Sequence, residues 1–568
     1  MSYFFSSFFY IFLIILVSSL IQTKIKFYQS LSLSNAICLI ALTFFLIPYK
    51  NLFFLLIFLI FIFSVYQYNG FKIKILNYNN TRFFWYSFFL IFFCYSRYFL
   101  DEDELTFWGI NQKFLYFENL YINTQKINKL NELYYINYHS FLIPKFKGIL
   151  NIFFEPREDF LILLNNLIIL TCFFSLFKST KSNLLFQFFY FLIFYCILNL
   201  LSFGFNSIYV DIIVVLFSIL LFKLLILENY KFEKNLKSLI IFFLILLIPL
   251  IHRVGIVFIF IIIFNFLIFN YHISIFKKKI LLLLFLSIFI LLFNKNIINY
   301  SNYNLTELEF IFLNIHTIFF NYLNYIKDLI FYPTPYIVIF SFFNDSFNFF
   351  KFNFNLPKYN IIFYQLIIFF LIINFLFFSN KKFFFISLLN LFIFSFIVFL
   401  AKLVLEKNLH PYATVRYLMM FFLFDFVFKL SIKFSSINRK KHLFIIIVFL
   451  SFIVPSKSIG FILPKGIYLL DQENKNYFNF MQKLNDIKKN IDNNEYNEKK
   501  NIKIYVINNY TSLENSRIIY ELYPKVTNKS FFSLEEFENL ILDINCINIV
   551  IAKDPLNSSH SNYSLKIL

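Results

Sequence analysis

Long apolar runs without a single charge constrain this chain more than any other feature. Runs of 15 to 20 residues, such as 4–21 and 184–201, contain no Asp, Glu, Lys or Arg. A helix needs about 20 apolar residues to cross a bilayer core of roughly 30 Å. Of the whole chain, 60% is hydrophobic and 14% is charged, whereas about a quarter of an ordinary soluble domain is charged. The sequence therefore predicts an all-α polytopic membrane protein.

The apolar runs divide the first 455 residues into candidate spans. We expect about 12 to 14 transmembrane helices. The first segment has no basic residue before it and no small-residue cleavage site after it, which favours a retained helix over a removed signal peptide. The candidate spans lie near 4–21, 34–48, 52–67, 83–100, 160–177, 184–203, 208–227, 238–251, 254–270, 280–293, 360–378, 383–403, 417–431 and 442–454.

The basic residues between these spans predict the orientation. The net charge is +20, from 51 Lys and Arg against 31 Asp and Glu. In a soluble protein this excess would suggest nucleic-acid binding, but the positive-inside rule explains it more simply in a membrane protein. If residues 294–359 stay on one side of the membrane, the basic clusters are separated by even numbers of spans, so all of them can face the cytoplasm. The clusters lie within 72–82, 178–181, 231–237, 277–279, 381–382 and 433–441.

The same orientation places the acidic end of the fourth span and the polar tail on the external face. We divide the chain into a membrane domain, 1–455, with an external loop at 101–159, and a small external α/β domain at 456–568. In the tail, strand-like runs at 502–507 and 547–552 alternate with helical patterns near 512–522 and 534–542, which is typical of a small α/β unit. The five cysteines have neither metal-ligand spacing nor a disulfide framework.

A run of four acids, residues 101–104, follows the fourth span and carries the clearest chemical signal. From charge alone, a solvated acidic helix cap explains them equally well. Phe107 and Trp108 follow at once, however, and would hold the acids against an aromatic interfacial surface. Four carboxylates at a membrane boundary repel one another and are costly to desolvate, so a functional role is the alternative.

The stretch from Asp103 to Trp108 resembles the Asp-Glu-x-x-x-Trp motif in the first large external loop of GT-C membrane glycosyltransferases. The likeness is to the branch with protein mannosyltransferases, the aminoarabinose transferase of lipid A and rhizobial lipopolysaccharide core transferases. His139, within 138–144, resembles the His-Pro-Pro-like stretch of that branch, although Ser and Phe follow it where prolines are usual. Asp211 resembles the second acidic position of the family. The resemblance covers roughly residues 83–270.

The resemblance implies a catalytic site for sugar transfer from a polyprenyl-phosphate donor with inversion. Asp103 would be the general base for the acceptor hydroxyl. Glu104 would orient it or raise its pKa through like-charge proximity. Asp101 is the reserve candidate. Asp211 lies a few residues inside an apolar span, where the cost of burying an acid favours a functional role.

The departing phosphate needs cations near its oxygens. Arg253, with His252 beside it, is one candidate, and Arg416, in the stretch that begins at His410, is another. Interfacial snorkelling explains the two arginines equally well, and the histidines are often plain polar residues at helix ends.

The expected partners follow from this interpretation: a polyprenyl-phosphate sugar donor, a glycan or glycolipid acceptor of the cell envelope, and membrane lipid, but no nucleic acid. With seven glycines and neither a GxGxxG nor a Walker A sequence, the chain has no nucleotide-cradling loop. The sequence requires no metal or cofactor and leaves a divalent metal open. It predicts an integral, multi-pass protein of the inner cell membrane. Two alternatives stay open, an O-antigen polymerase or ligase and a non-enzymatic transporter or flippase of lipid-linked saccharide.

Overall fold

Part of the chain is described by the computed structural model. The described residues are 3–12, 15, 78–95, 99, 104–117, 157–176, 211–222, 225, 241, 244–245, 247–249, 251–252, 254–269, 322–324, 381–405, 417, 420–425, 428, 482–489, 491, 502–507, 512–522, 526–532, 535–536, 539, 547–553 and 563–567. Six predicted spans lie outside them, namely 34–48, 52–67, 184–203, 280–293, 360–378 and 442–454. Within the described part, no helix is found that has both the length and the apolar character needed to cross a membrane.

The described part of the first 455 residues is helical. A helical segment at 3–12 is followed by α1 (Tyr78–Cys94), a π-helix (Glu104–Gly109), α2 (Ile110–Phe117), α3 (Glu158–Leu176), α4 (Asp211–Phe222), α5 (Gly255–Phe269) and α6 (Lys381–Leu405). The helices contact one another in a series: α1 against α3, α3 against α4, α4 against α5, and α5 against α6. The series places α3 and α4 between other helices.

The sequences of α3 and α4 explain their interior position. Both are apolar on every side rather than on one stripe, which is typical of a helix surrounded by other apolar groups. Two of their hydroxyl groups are satisfied within the helix. Thr171 Oγ1 donates to the Ile168 carbonyl at 2.7 Å, and Ser218 Oγ donates to the Val214 carbonyl at 2.7 Å. Such bonds let a hydroxyl lie among apolar neighbours without an unpaired donor.

The segment 3–12 lies along α1 and is fixed to it by aromatic contacts. The Tyr3 hydroxyl donates to the Ile91 carbonyl at 2.8 Å. The ring centroids of Phe8 and Phe88 are 6.2 Å apart. Two aromatic side chains of α1, Trp85 and Phe92, are about half exposed, at 53% and 55%. A helix that buries one face and exposes large aromatic rings on another presents an apolar outer surface.

The tail contains a four-stranded sheet with the spatial order β2-β1-β3-β4. Its strands are β1 (Ile502–Ile507), β2 (Val526–Phe532), β3 (Ile547–Lys553) and β4 (Tyr563–Ile567). The strand β1 pairs in parallel with both β2 and β3, and β3 pairs antiparallel with β4. Helix α7 (Ser512–Leu522) connects β1 to β2, as a parallel pair requires a crossover. A second helical segment at 482–489 precedes the sheet.

Candidate functional site

The structure describes only a few of the site residues that were predicted from the sequence. Asp101, Asp103, His139, Arg253, His410 and Arg416 lie outside the described residues. For Glu104 and Asp211 the backbone is described: Glu104 begins the π-helix and Asp211 begins α4. His252 is the predicted site residue whose side-chain contacts are described.

The acidic motif continues into a rare backbone conformation. Residues Glu104–Gly109, which include the Trp of the motif, form a π-helix that leads without a break into α2. Within it, the side chains of Leu105 and Trp108 are buried. π-helical turns are rare and occur frequently at functional sites, because they turn side chains away from ordinary helical positions. The sequence gives no signal for this feature.

Helix α2 buries three consecutive polar side chains directly after the π-helix. Asn111 is 0% exposed, and Gln112 and Lys113 are each 2% exposed. Lys113 Nζ donates to the Tyr520 carbonyl at 2.5 Å and lies 3.9 Å from the centre of the Tyr520 ring. Asn111 Nδ2 and Oδ1 and Gln112 Oε1 have no hydrogen-bond partner among the described residues. An unsatisfied buried polar group costs about 1–3 kcal/mol.

Glu158, in the first turn of α3, is the centre of a buried three-way contact. One carboxylate oxygen accepts from the Phe99 backbone N–H at 2.5 Å, and the other accepts from Arg517 Nη1. Arg517 Nη2 in turn donates to the Phe99 carbonyl at 3.3 Å. Burial raises the pKa of Glu158, while the Arg517 charge opposes that rise. This contact joins the tail to the segment that leads into the acidic motif.

Glu521 adds a second carboxylate beside Arg517. Its oxygens lie 3.5 Å from Arg517 Nη1, four residues earlier in α7, and 3.7 Å from Lys488 Nζ. Burial alone would raise the pKa of Glu521, but the charges of Lys113, Arg517 and Lys488 outweigh it and lower the pKa below the ordinary value. Three cations and two carboxylates thus meet where α7 lies against the π-helix and the start of α3.

Arg157 and Asp159 form a separate pair at the start of α3. Arg157 Nη2 and Asp159 Oδ2 are 2.7 Å apart, and Arg157 Nε bonds the other carboxylate oxygen at 3.1 Å. The hydrogen bond with Asp159 raises the pKa of Arg157. The Arg157 guanidinium also lies 5.6 Å from the centre of the Tyr3 ring. This pair, of an exposed Arg157 and a buried Asp159, links α3 to the segment 3–12.

His252 lies at the corner before α5 and bonds to the backbone there. The Val254 N–H donates to His252 Nδ1 at 3.3 Å, and the Gly255 N–H donates to the His252 carbonyl at 2.9 Å. The His252 ring lies 6.3 Å, centre to centre, from the ring of Tyr417. Each of these residues is next in sequence to one of the two arginines nominated for phosphate binding. The contact therefore joins the residue before Arg253 in sequence to the residue after Arg416.

Asp425 is a buried acid that the sequence analysis did not select. It lies in the helical residues 420–425 and accepts a hydrogen bond from Ser387 Oγ at 2.8 Å. One turn along α6, Asn390 exchanges amide hydrogen bonds with Asn265 of α5, at 2.9 and 3.2 Å. The available signal was a lone acid inside the run Phe421-Phe422-Leu423-Phe424-Asp425-Phe426.

Among the described residues, no group of three or more His, Cys, Asp or Glu side chains is arranged to hold a metal ion. Comparisons of the chain with protein families, with curated proteins and with solved structures found no match.

Proposed function

We propose that this chain is an integral membrane glycosyltransferase of the GT-C type, multi-pass in the inner cell membrane. It transfers a sugar from a polyprenyl-phosphate donor to an envelope glycan or glycolipid on the external face. The observation that carries the proposal is the position of the acidic motif. Its residues from Glu104 onward form a π-helix that is joined directly to buried polar side chains of α2.

Two features support the membrane part of the proposal. The uncharged runs of the sequence have the length that a bilayer core requires. The outer side of α1 exposes Trp85, Phe89 and Phe92 at helical spacing, and such a surface is stable against lipid rather than water. The absence of a nucleotide-cradling loop agrees with a donor that is anchored in the same membrane.

The proposed reaction is an in-line displacement at the anomeric carbon. Asp103 removes the proton of the acceptor hydroxyl, whose oxygen forms a bond to the anomeric carbon. The bond between that carbon and the phosphate oxygen breaks, so the configuration inverts and polyprenyl phosphate leaves. Glu104 orients Asp103, and Asp211 and His139 contact the sugars. Asp101 is the reserve base.

The cations proposed for the leaving phosphate are Arg253 and Arg416, with His252 and His410 as neighbours. The contact between His252 and Tyr417 supports this assignment because these two residues are the sequence neighbours of Arg253 and Arg416. Cations fixed before the reaction stabilise charge that develops on the phosphate oxygens. The reaction needs no metal in this scheme.

A transporter or flippase of lipid-linked saccharide is the second candidate, and Asp425 is the observation that favours it. A buried acid among apolar helices is typical of ion and substrate pathways. An assay of membranes with a polyprenyl-phosphate sugar and an acceptor separates the two. The glycosyltransferase yields a new glycosidic bond and free polyprenyl phosphate, whereas a transporter changes only the leaflet in which the donor is found.

A further inference from the structure

The tail contacts the chain on both sides of the acidic motif. Before the motif, Arg517 of α7 donates to the Phe99 carbonyl at 3.3 Å, and Glu158, the ion-pair partner of Arg517, accepts from the Phe99 N–H at 2.5 Å. The Phe99 ring also lies 5.7 Å, centre to centre, from the Tyr520 ring. The residue two positions before the acid run 101–104 is therefore fixed through its N–H, its carbonyl and its side chain.

After the motif, Lys113 of α2 makes the second contact with the tail. Its Nζ donates to the Tyr520 carbonyl at 2.5 Å and lies 3.9 Å from the centre of the Tyr520 ring. Lys113 is 2% exposed, and a hydrogen bond away from water is electrostatically stronger than one in solvent. Between the two contacts, the π-helix lies against α7, and its Leu105 and Trp108 side chains are buried. One helix of the tail thus contacts the π-helix and both of its flanks.

The position of the proposed base depends on where the π-helix is held. Asp103 immediately precedes Glu104, the first residue of the π-helix, and consecutive Cα atoms are only about 3.8 Å apart. A displacement of about 1 Å in a reacting group can cost about 10²-fold in rate. The contacts made by α7 therefore bear on the geometry of the proposed base.

We propose that α7 is a positioning element for sugar transfer, with Arg517 and Lys113 as the positioning residues that hold the acidic motif in place. The role in transfer rests on the proposed function, whereas the holding of the motif does not. Both residues act through the backbone on either side of the motif rather than through substrate. The tail is then part of the transfer machinery, and transfer requires α7 to be docked.

Trp108 gives a readout of the motif that is independent of activity. The chain contains two tryptophans, Trp85 and Trp108, so Trp85→Phe leaves Trp108 as the sole emitter. Trp108 is 4% exposed. In this background of the full chain, Arg517→Met and Lys113→Met should shift the emission to longer wavelength. Quenching by acrylamide should rise at least about twofold, because the motif opens to water when its contacts with α7 are lost.

The matched control is Lys488→Met. Lys488, like Lys113, is a cation beside Glu521, and both charges lower the pKa of Glu521. The pair of Lys488 and Glu521 lies within the tail, however, so its loss should leave the emission and quenching of Trp108 unchanged. If neither Arg517→Met nor Lys113→Met differs from this control, α7 does not hold the motif and the proposal is wrong.

Transfer kinetics test the positioning role. In Arg517→Met and Lys113→Met, kcat should fall at least about tenfold while the KM values for donor and acceptor change less than about twofold, because a misplaced base slows the chemical step without weakening ground-state binding. Asn265→Leu is the control for lost stability. It breaks the amide pair with Asn390, and it should keep the wild-type kcat below its own melting temperature. If kcat falls with the melting temperature in all three variants alike, the contacts are only structural and the positioning role is wrong.

Fluorescence and kinetics together separate this proposal from the proposed function. If the wild type transfers no sugar but Trp108 becomes exposed in Arg517→Met and Lys113→Met, the holding of the motif by α7 stands and the proposed function fails. If the wild type transfers sugar and both variants transfer it equally well, the proposed function stands and the positioning role is overturned.

Discussion

Arg517 and Glu158 form a buried ion pair between residues that are 359 positions apart in the chain. Arg517 is 0% exposed, and both residues also bond the Phe99 backbone. The pair therefore fixes α7 of the tail to the start of α3 and to the segment that precedes the acidic motif. Since one partner alone would be an uncompensated buried charge, both are needed together.

Removing Arg517 should release the tail from the helical region. Arg517→Met keeps the apolar stem but leaves the Glu158 carboxylate buried without its cation, which should cost about 3–5 kcal/mol. We expect a lower melting temperature for the purified chain and faster proteolysis between the tail and the helices. The control is Lys488→Met, because Lys488 is 32% exposed in its pair with Glu521. Its loss should cost at most about 1 kcal/mol.

The double variant Arg517→Met with Glu158→Leu tests whether the stability lost in Arg517→Met comes from the unpaired buried carboxylate. It removes both charges, so much of the lost stability should return. If Arg517→Met lowers the melting temperature no more than Lys488→Met does, the pair of Arg517 and Glu158 does not hold the tail in place.

Low pH should weaken the contact between α7 and the helical region, because it protonates Glu521. Its folded-state pKa is lowered, so it lies below the unfolded value of about 4.3. The stability from the ionised carboxylate is present above that unfolded value and is lost as pH falls through the folded value. Glu158, whose pKa is raised, acts in the opposite direction. The melting temperature of Glu521→Gln should therefore fall less steeply below about pH 4.3 than that of the wild type; equal slopes would contradict this role.

The central strands of the tail could be predicted from the sequence, whereas the edge strands could not. The apolar runs at 502–507 and 547–552 coincide with β1 and the first six residues of β3, the two inner strands. The segments of β2, VTNKSFF, and β4, YSLKI, mix polar and apolar residues instead of forming an apolar run. Edge strands bury less side-chain surface, so their sequences carry a weaker pattern.

The site was less predictable than the sheet. The motif around Trp108 could be found because it is defined by the spacing of residues close together in sequence. In contrast, nothing in the sequence of α7, SLENSRIIYEL, indicates that Arg517 is buried against Glu158. That contact depends on tertiary packing between distant segments. Asp425 could have been found, since a single acid in an apolar run is visible in the sequence.

Gly255 should not tolerate a side chain. A Cβ at this position would lie 2.6 Å from the Ile248 carbonyl oxygen, a backbone atom that cannot turn aside. Gly255→Ala should therefore force the corner before α5 apart and cost about 1–3 kcal/mol. Ile256→Val, at the next and partly exposed position, is the control and should cost less than about 1.5 kcal/mol. Equal melting temperatures for the two variants would show that the corner yields without strain.

Topology can be tested by labelling single cysteines in a Cys-free background. Phe117→Cys and Asn539→Cys, at exposed positions of α2 and the tail, should react with an impermeant reagent from outside. Cysteines that replace Lys234, Lys278 and Lys440 should be protected until the membrane is opened, as the positive-inside rule requires. If Phe117→Cys and Asn539→Cys label from opposite sides, the proposed orientation is wrong.

The most direct test of the proposed function is sugar transfer by Asp103→Asn. The substitution keeps the size of the side chain and removes its basic oxygen, so we expect normal expression and a loss of about 10²-fold or more in transfer. Glu104→Gln should lose less, and Glu535→Gln, at an exposed position in the tail, should retain wild-type activity. If the acids only cap a helix, Asp103→Asn leaves both stability and transfer nearly unchanged, because Asn caps a helix about as well as Asp. Full transfer activity in Asp103→Asn would contradict the catalytic assignment.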